Sequence, residues 1–132
     1  MTRVVFDTNV FVSAIVFGGK PRIALELAEA GVFELAFSHA IRVELESILQ
    51  EKFGWPQEYV AWACQPIWDF SHNVVPQMTV AVCSDPDDDR ILECALEAKA
   101  QVIVTGDSDL LRLNRFKGIA ILTPAAFLAT IR

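Results

Sequence analysis

The chain has 132 residues, 53% of them hydrophobic, so it is long enough for one domain with a real core and too short for two. Its net charge of −6 argues against binding nucleic acid through bulk positive charge, although local basic contacts around an acidic site are compatible with it. No apolar run approaches the roughly 20 residues of a membrane span, and the amino terminus lacks a signal-peptide pattern. We therefore expect a single domain over residues 1–132, cytoplasmic and without a membrane partner.

The first predicted element is a short strand at residues 3–6, which ends abruptly in Asp7, Thr8 and Asn9. A continuous apolar run of this kind is typical of a buried parallel strand. Ligands of open α/β sheets bind outside the carboxyl ends of the strands, so Asp7 and Asn9 are candidates for a site. The alternative is that the two side chains only form a turn or a helix cap.

Helical segments are predicted at residues 10–16 and 21–30, and a second strand at residues 33–37. The next helix, over residues 39–52, carries an apolar stripe at i, i+4, i+7 and i+8 spacing. Glu44 lies only about 40° from that stripe around the helix axis, so it can reach over the rim of the sheet. The alternative is a solvated glutamate paired with a neighbour.

Residues 54–78 are the least informative part of the chain. Pro56 is predicted to begin a helix whose aromatic side chains pack in the core and do not stack on nucleobases. Residues 80–82 are predicted to form a short strand that leads into the acidic stretch.

The acidic stretch SDPDDDRILECA, which begins at Ser84, puts several aspartates on the first turn of a helix. Asp85 before a proline is a favourable helix start. At about 100° per residue, Asp88 projects within roughly 60° of Ile91, whereas Asp89 points about 160° away. We expect Asp88 to face inward, where a desolvated carboxylate needs a cation or a hydrogen-bond donor. The alternative is that all the aspartates only cap the helix.

A further buried strand is predicted at residues 102–104, and Asp107 follows its carboxyl end as Asp7 follows the first strand. Asp109 begins the next short helix, and residues 119–130 give a last strand and helix. This alternation predicts an α/β fold with a central parallel sheet and helices on both faces.

Four carboxylates from separate segments are thus predicted at strand ends or on core-facing helix edges: Asp7, Glu44, Asp88 and Asp107. Converging carboxylates raise one another's pKa unless a divalent cation neutralises them. Oxygen ligands suit Mg²⁺ or Mn²⁺, and the three cysteines lack the Cys/His spacing of a zinc site. Such a site can hold one or two metals that activate water in phosphodiester hydrolysis.

Taken in order, these motifs resemble the PIN domain, and more closely its bacterial branch of toxin components of toxin–antitoxin systems, the VapC-like ribonucleases. The resemblance runs from Val4 to about Leu128 and rests on Asp7-Thr8-Asn9-Val10, Gly19-Lys20-Pro21, Ser38 with Glu44, Asp85-Pro86-Asp87-Asp88, Thr105-Gly106-Asp107-Ser108-Asp109-Leu110, and Thr123-Pro124. It implies a three-layer α/β/α sandwich with metal-dependent cleavage of single-stranded RNA. It also implies a cognate antitoxin that blocks the acidic groove, and it is compatible with a homodimer.

The resemblance assigns catalytic and metal-binding roles to Asp7, Glu44, Asp88 and Asp107, with Asp109 as a further ligand and Asn9 and Thr105 as polar supports. Asp89 stands where this branch tends to have asparagine, which leaves open whether Asp88 or Asp89 is the third acid. The helical projection favours Asp88. The expected reaction is in-line attack of an activated water on an RNA phosphodiester.

Phosphate contacts are expected from basic residues near the acids, among them Arg90, Lys20 and Arg22, with solvated surface charge as the alternative for each. Two other functions stay open. A phosphotransfer or receiver-like domain also uses Mg²⁺ at strand ends, but Asp7 lacks a second carboxylate two residues on, and no lysine directly follows a late strand. A non-catalytic module would use its acidic face to hold a basic partner, and metal would not change that binding.

Overall fold

A computed structural model describes residues 1–131 and contains a six-stranded sheet in the order β3-β2-β1-β4-β6-β5. The strands are β1 (Arg3–Phe6), β2 (Glu34–Phe37), β3 (His72–Asn73), β4 (Val102–Val104), β5 (Arg115–Phe116) and β6 (Ile119–Leu122). Neighbouring strands are parallel except β5 and β6, which are antiparallel. In the register of the central strand, Val5 lies between Ala36 of β2 and Ile103 of β4.

Within residues 1–131, six α-helices and one π-helical turn lie between strands, and a seventh α-helix follows β6. They are α1 (Thr8–Val12), the π turn (Ser13–Phe17), α2 (Gly19–Glu29), α3 (His39–Glu51), α4 (Gln57–Phe70), α5 (Pro86–Ala98), α6 (Ser108–Leu113) and α7 (Pro124–Ala129). None of the helices in residues 1–131 has the length and apolar character that crossing a membrane requires.

The core lies on both faces of the central strand. Val4, Val5 and Phe6 of β1 are all completely buried, which requires that helices cover the sheet on both sides. On the Phe6 side, its ring lies 5.4 Å from Phe11 and 6.2 Å from Phe33, measured between ring centroids. The predicted α/β class, with a three-layer α/β/α arrangement, is confirmed.

Local sequence signals account for several helix starts. Asp85 accepts a hydrogen bond from the Asp87 amide at 2.9 Å, and Thr123 accepts one from the Ala126 amide at 3.1 Å; each cap is followed by a proline at the first helical position. Among the aromatics of α4, Trp68 packs in the core 4.5 Å from Phe37, whereas Trp62 is 71% exposed. The packing predicted for this helix therefore holds for only part of it.

The strand predicted at residues 80–82 does not form. The amides of Val80, Val82 and Cys83 donate instead to carboxylates on α5, so they are not available for a strand ladder. The strands at the two edges of the sheet, β3 and β5, have only two residues each. A strand this short cannot show the alternating pattern by which strands are predicted from sequence.

Candidate metal centre

The sheet reverses its winding direction between β1 and β4. From β1 the chain proceeds through β2 and β3 towards one edge, whereas β4 and β6 continue towards the other. Ligands of open α/β sheets bind at this switch point, outside the carboxyl ends of the strands. Phe6 is paired with Val104, so Asp7 and Thr105 are brought side by side at that position.

Thr105 connects the two strand ends. Its hydroxyl donates to the Asp7 carboxylate at 2.8 Å and accepts from the Asp107 amide at 2.9 Å. The Asp7 amide also donates to the Val104 carbonyl at 2.9 Å. Because Thr105 is fully buried, the loop after β1 and the loop after β4 are held together by one side chain that water does not reach.

Three aspartates converge beside this connection. Asp88 on the first turn of α5 and Asp107 and Asp109 at the start of α6 each offer a carboxylate oxygen, and these oxygens lie within 4.8 Å of one another. The Asp107 carboxylate accepts from the Asp109 amide at 2.7 Å, which orients it as the cap of α6. Asp109 is exposed and also accepts from Arg112 at 3.0 Å.

The carboxylates of this centre repel one another. Burial raises the pKa of Asp88 to about 7, and the negative charges of Asp107 and Asp7 add to the effect. Burial also raises the pKa of Asp7, although the Thr105 hydrogen bond opposes this, and the charge of Asp107 raises it further. Acids whose pKa values are raised by burial and mutual repulsion are stabilised by binding either protons or a cation.

The donor set fits a hard divalent cation. All the converging ligands are carboxylate oxygens, which suit Mg²⁺ and Mn²⁺. The nearby thiol of Cys83 has its pKa raised to about 12, first by burial and then by Asp89, so it stays protonated and is a poor metal ligand. The centre could therefore hold a divalent metal through oxygen ligands alone.

Glu44 stands apart from the three converging aspartates. It lies beside Thr8 and Asp87 in an open cleft of about 440 Å³ that Arg90 also lines. Burial raises the pKa of Glu44 to about 7, and the charges of Asp87 and Asp7 contribute, whereas the Thr8 hydroxyl lowers it. Sequence reasoning singled out neither Thr8 nor Asp87 individually, because their proximity to Glu44 arises only when α3 packs beside α1 and α5.

Asp88 and Asp89 are both buried, at 6% and 4% exposure, but they face different surroundings. One oxygen of Asp89 accepts from the amides of Val82 at 3.0 Å and Cys83 at 2.9 Å. Burial alone would raise the pKa of Asp89, yet these hydrogen bonds outweigh it and hold the pKa below its usual value. Asp88 is therefore the one of the two that joins the acidic centre, and Asp89 anchors a loop.

The basic candidates differ in their surroundings. Arg90 donates twice to Glu93, both at 2.7 Å, and once to the Val80 carbonyl at 3.3 Å. Arg22 donates to the carbonyls of Ala14 and Ile15 at 2.9 and 3.1 Å, at the start of the π turn. Lys20 is exposed at the start of α2. Contact of these residues with phosphate stays a prediction.

The comparisons with known proteins agree with this geometry. The PIN domain model matches residues 3–109. An uncharacterized protein of Methanocaldococcus jannaschii is 31% identical over 124 residues, which cover 85% of this chain and 75% of that protein. A chain in the crystal structure of VapBC2 from Rickettsia felis, bound to a DNA fragment from its promoter, superposes with a TM-score of 0.66. It is 14% identical, and the match covers 91% of this chain and 97% of that one.

The fold and the acidic centre define a three-layer α/β/α protein with carboxylates at the switch point of a mostly parallel sheet. The chain belongs to the PIN domain family. The resemblance found in the sequence motifs is thereby confirmed.

Proposed function

We propose that this protein is an endoribonuclease that requires Mg²⁺ or Mn²⁺ and hydrolyses phosphodiester bonds of single-stranded RNA. The observation that carries the proposal is the convergence of Asp88, Asp107 and Asp109 beside Asp7, at the position where α/β sheets bind ligands. Carboxylates so arranged are suited to hold a cation against a phosphate.

We assign a separate role to each residue of the site. Asp88, Asp107 and Asp109 would hold the metal together with Asp7, and Thr105 would fix the orientation of Asp7. A bound Mg²⁺ or Mn²⁺ supplies positive charge at the phosphate and lowers the pKa of water. Glu44, with a pKa of about 7, would orient the attacking water and accept its proton at neutral pH. Asn9 would contribute a further polar contact at the rim.

The partners follow from the same proposal. VapBC2 from Rickettsia felis is a two-component complex that was solved on its promoter DNA, and this chain shares the fold of one of its chains. We propose that this protein is likewise the toxin of a toxin–antitoxin pair, with a cognate antitoxin that covers the acidic centre, and that it forms a homodimer. Since cellular RNA would be the substrate, the cytoplasm would be its place of action.

The test is cleavage of an end-labelled single-stranded RNA by the wild type, Asp7→Asn and Asp88→Asn, each with Mg²⁺, Mn²⁺ or EDTA. We expect cleavage by the wild type only, and only with metal. Asp69→Asn is the matched control, because Asp69 is an exposed acid on α4 outside the centre, and it should cleave like the wild type.

Equal cleavage by all four proteins would identify a contaminating nuclease and contradict the proposal. Absence of cleavage, combined with metal-dependent stabilisation of the wild type and not of Asp88→Asn, would instead favour a metal-binding module without nuclease activity. A single-stranded DNA of the same sequence, tested in parallel, distinguishes ribonuclease from general nuclease activity.

A further inference from the structure

A separate cleft of about 250 Å³ opens beside Asp107. Its polar wall consists of Asn9 and Ser13, one turn apart on α1 and the π turn, and its apolar wall includes Pro21 and Pro124. Among residues 1–131, Asp107 is the one charged residue in its lining. The cleft therefore adjoins the acidic centre but is otherwise neutral, so it is unsuited to bind a phosphate by itself.

Gly106 forms part of the lining, and nothing in the chain itself explains why a glycine stands there. Its backbone is not in the left-handed region, where glycine is favoured. A Cβ atom built on it would meet no atom of residues 1–131 within 4 Å, apart from those of its two chain neighbours. Neither backbone strain nor internal packing thus excludes a side chain at this position. What the glycine does is leave the space next to Asp107 open.

The lining has the chemistry of a nucleoside site. The amide of Asn9 and the hydroxyl of Ser13 can each donate and accept hydrogen bonds, as base edges and ribose hydroxyls require. The two proline rings offer apolar surface to a base or a sugar. Sites for drug-sized ligands begin at about 300 Å³, so this smaller cleft suits a group no larger than one nucleoside.

We propose that this cleft binds the nucleoside next to the scissile phosphate, and that Gly106 is the positioning residue that keeps it open. This inference rests on the proposed nuclease function. A nucleoside in the cleft would direct its own phosphate towards Asp107, where the acids and their cation take the charge. Substrate binding and metal binding would then depend on two adjacent but separable sets of residues.

The first test separates these two sets. Gly106→Val fills the cleft, and Gly106→Ala and Ser13→Ala change it less. We expect Gly106→Val to raise the KM for a single-stranded RNA about tenfold or more, with a smaller change in kcat, and the two milder variants to raise KM several-fold. Mg²⁺ should raise the melting temperature of each variant as much as that of the wild type, because the carboxylates are untouched.

The control is Ala61→Val, which adds a β-branched side chain at an exposed position of α4, and its kinetics should match the wild type. A wild-type KM in both Gly106→Val and Ser13→Ala would overturn the inference. So would a loss of Mg²⁺ stabilisation in Gly106→Ala as large as its loss of activity, because the residue would then act through the metal centre.

A second test does not depend on cleavage. The ¹⁵N-labelled wild type is titrated with adenosine and uridine 5′-monophosphate in Mg²⁺, and amide signals of Asn9, Ser13 and Gly106 are followed. We expect these signals to shift, and the shifts at Asn9 and Ser13 to vanish in Gly106→Val. If the wild type cleaves no RNA but shows these shifts, the nuclease proposal fails and the nucleoside site stands. Unshifted signals with both nucleotides would overturn the site.

Discussion

Thr105 is the residue on which the geometry of the acidic centre depends most directly. A single hydroxyl of a fully buried residue donates to Asp7 in a buried hydrogen bond and accepts from the Asp107 amide in a partly buried one. A buried group that loses its partner retains the full desolvation penalty, so the two neighbours of Thr105 are sensitive to its removal.

We therefore expect Thr105→Val, which keeps the shape and removes the hydroxyl, to lower the free energy of unfolding by about 1–3 kcal/mol. It should also weaken Mg²⁺ binding about tenfold, as loss of a supporting hydrogen bond commonly does. Urea unfolding and metal titration followed by melting temperature measure the two effects. Thr105→Ser should restore most of both. Thr130→Val is the control, because Thr130 donates only to the Phe127 carbonyl at the end of α7.

Asp88 gives a prediction about pH. Its pKa is about 7 in the folded, metal-free protein, against an ordinary value of 3.8. At pH values between 3.8 and about 7, the carboxyl group of Asp88 is therefore protonated in the folded state and ionised in the unfolded state. The resulting contribution to stability is complete below about pH 4 and disappears as the pH rises through 7.

In EDTA, the free energy of unfolding of the wild type relative to Asp88→Asn should accordingly decrease between pH 4 and pH 7.5. Using the difference between the two proteins removes the contributions of titrating groups that do not interact with Asp88. Mg²⁺ should reverse the trend above pH 7, where the ionised acids can bind it. A difference that stays constant with pH in EDTA would show that Asp88 is not held in a repulsive environment.

At the scale of elements, helix α5 holds the loop that precedes it. Glu93 accepts from the Val80 amide at 2.8 Å, and Asp89 accepts from Val82 and Cys83. The first turn of the same helix carries Asp88 into the acidic centre. On the first turn of α5, Asp88 thus contributes to the acidic centre, and Asp89 holds the loop that leads to it.

Replacing Asp88 and Asp89 by alanine one at a time should separate the role of Asp88 in the acidic centre from the role of Asp89 in holding the loop. Asp89→Ala leaves two loop amides without their acceptor and should lower the free energy of unfolding by about 1–3 kcal/mol. Asp88→Ala removes a repelling charge and should leave the metal-free protein at least as stable as the wild type. Urea unfolding in EDTA at pH 7.5 makes the comparison. Equal destabilisation by both changes would contradict the assignment.

The sequence predicts these elements unevenly, for physical reasons. The main helices and long strands could be predicted because periodicity and caps are local, as at Asp85 and Thr123. The helical projection also predicts that Asp88 faces inward. The same projection predicts that Asp89 points to solvent, because it takes no account of the loop that folds over that side of α5. The closeness of Asp87 to Glu44 likewise depends on the packing of two helices, which no local pattern contains.

The whole molecule is acidic, and part of its positive charge is already engaged. The net charge is −6, and both Arg90 and Arg22 donate to groups of the chain itself. A protein of this kind gains little from releasing counterions when it binds a nucleic acid. Attraction to RNA would come mainly from the bound divalent cation and from local contacts.

If the protein binds RNA as proposed, its affinity in Mg²⁺ should depend only weakly on KCl. Each neutralised phosphate of a single strand contributes about −0.7 to the slope of log K against log salt, so a slope no steeper than about −2 is expected. Fluorescence anisotropy with the wild type at low temperature gives the slope. Lys20→Gln should flatten it.

Lys99→Gln is the control, because Lys99 follows the end of α5, about 16 Å along the helix from Asp88. Its salt dependence should equal that of the wild type. A slope of −5 or steeper would indicate an extended basic surface and would contradict the picture of a cation-mediated contact.

The two edge strands have a consequence for self-association. The sheet ends in β3 and β5, each only two residues long, so neither edge presents a row of free amides and carbonyls to another chain. Short edges of this kind protect sheet proteins against uncontrolled strand pairing and fibre growth. If two copies of this protein associate, we therefore expect them to meet through helices or loops and not by joining their sheets into one.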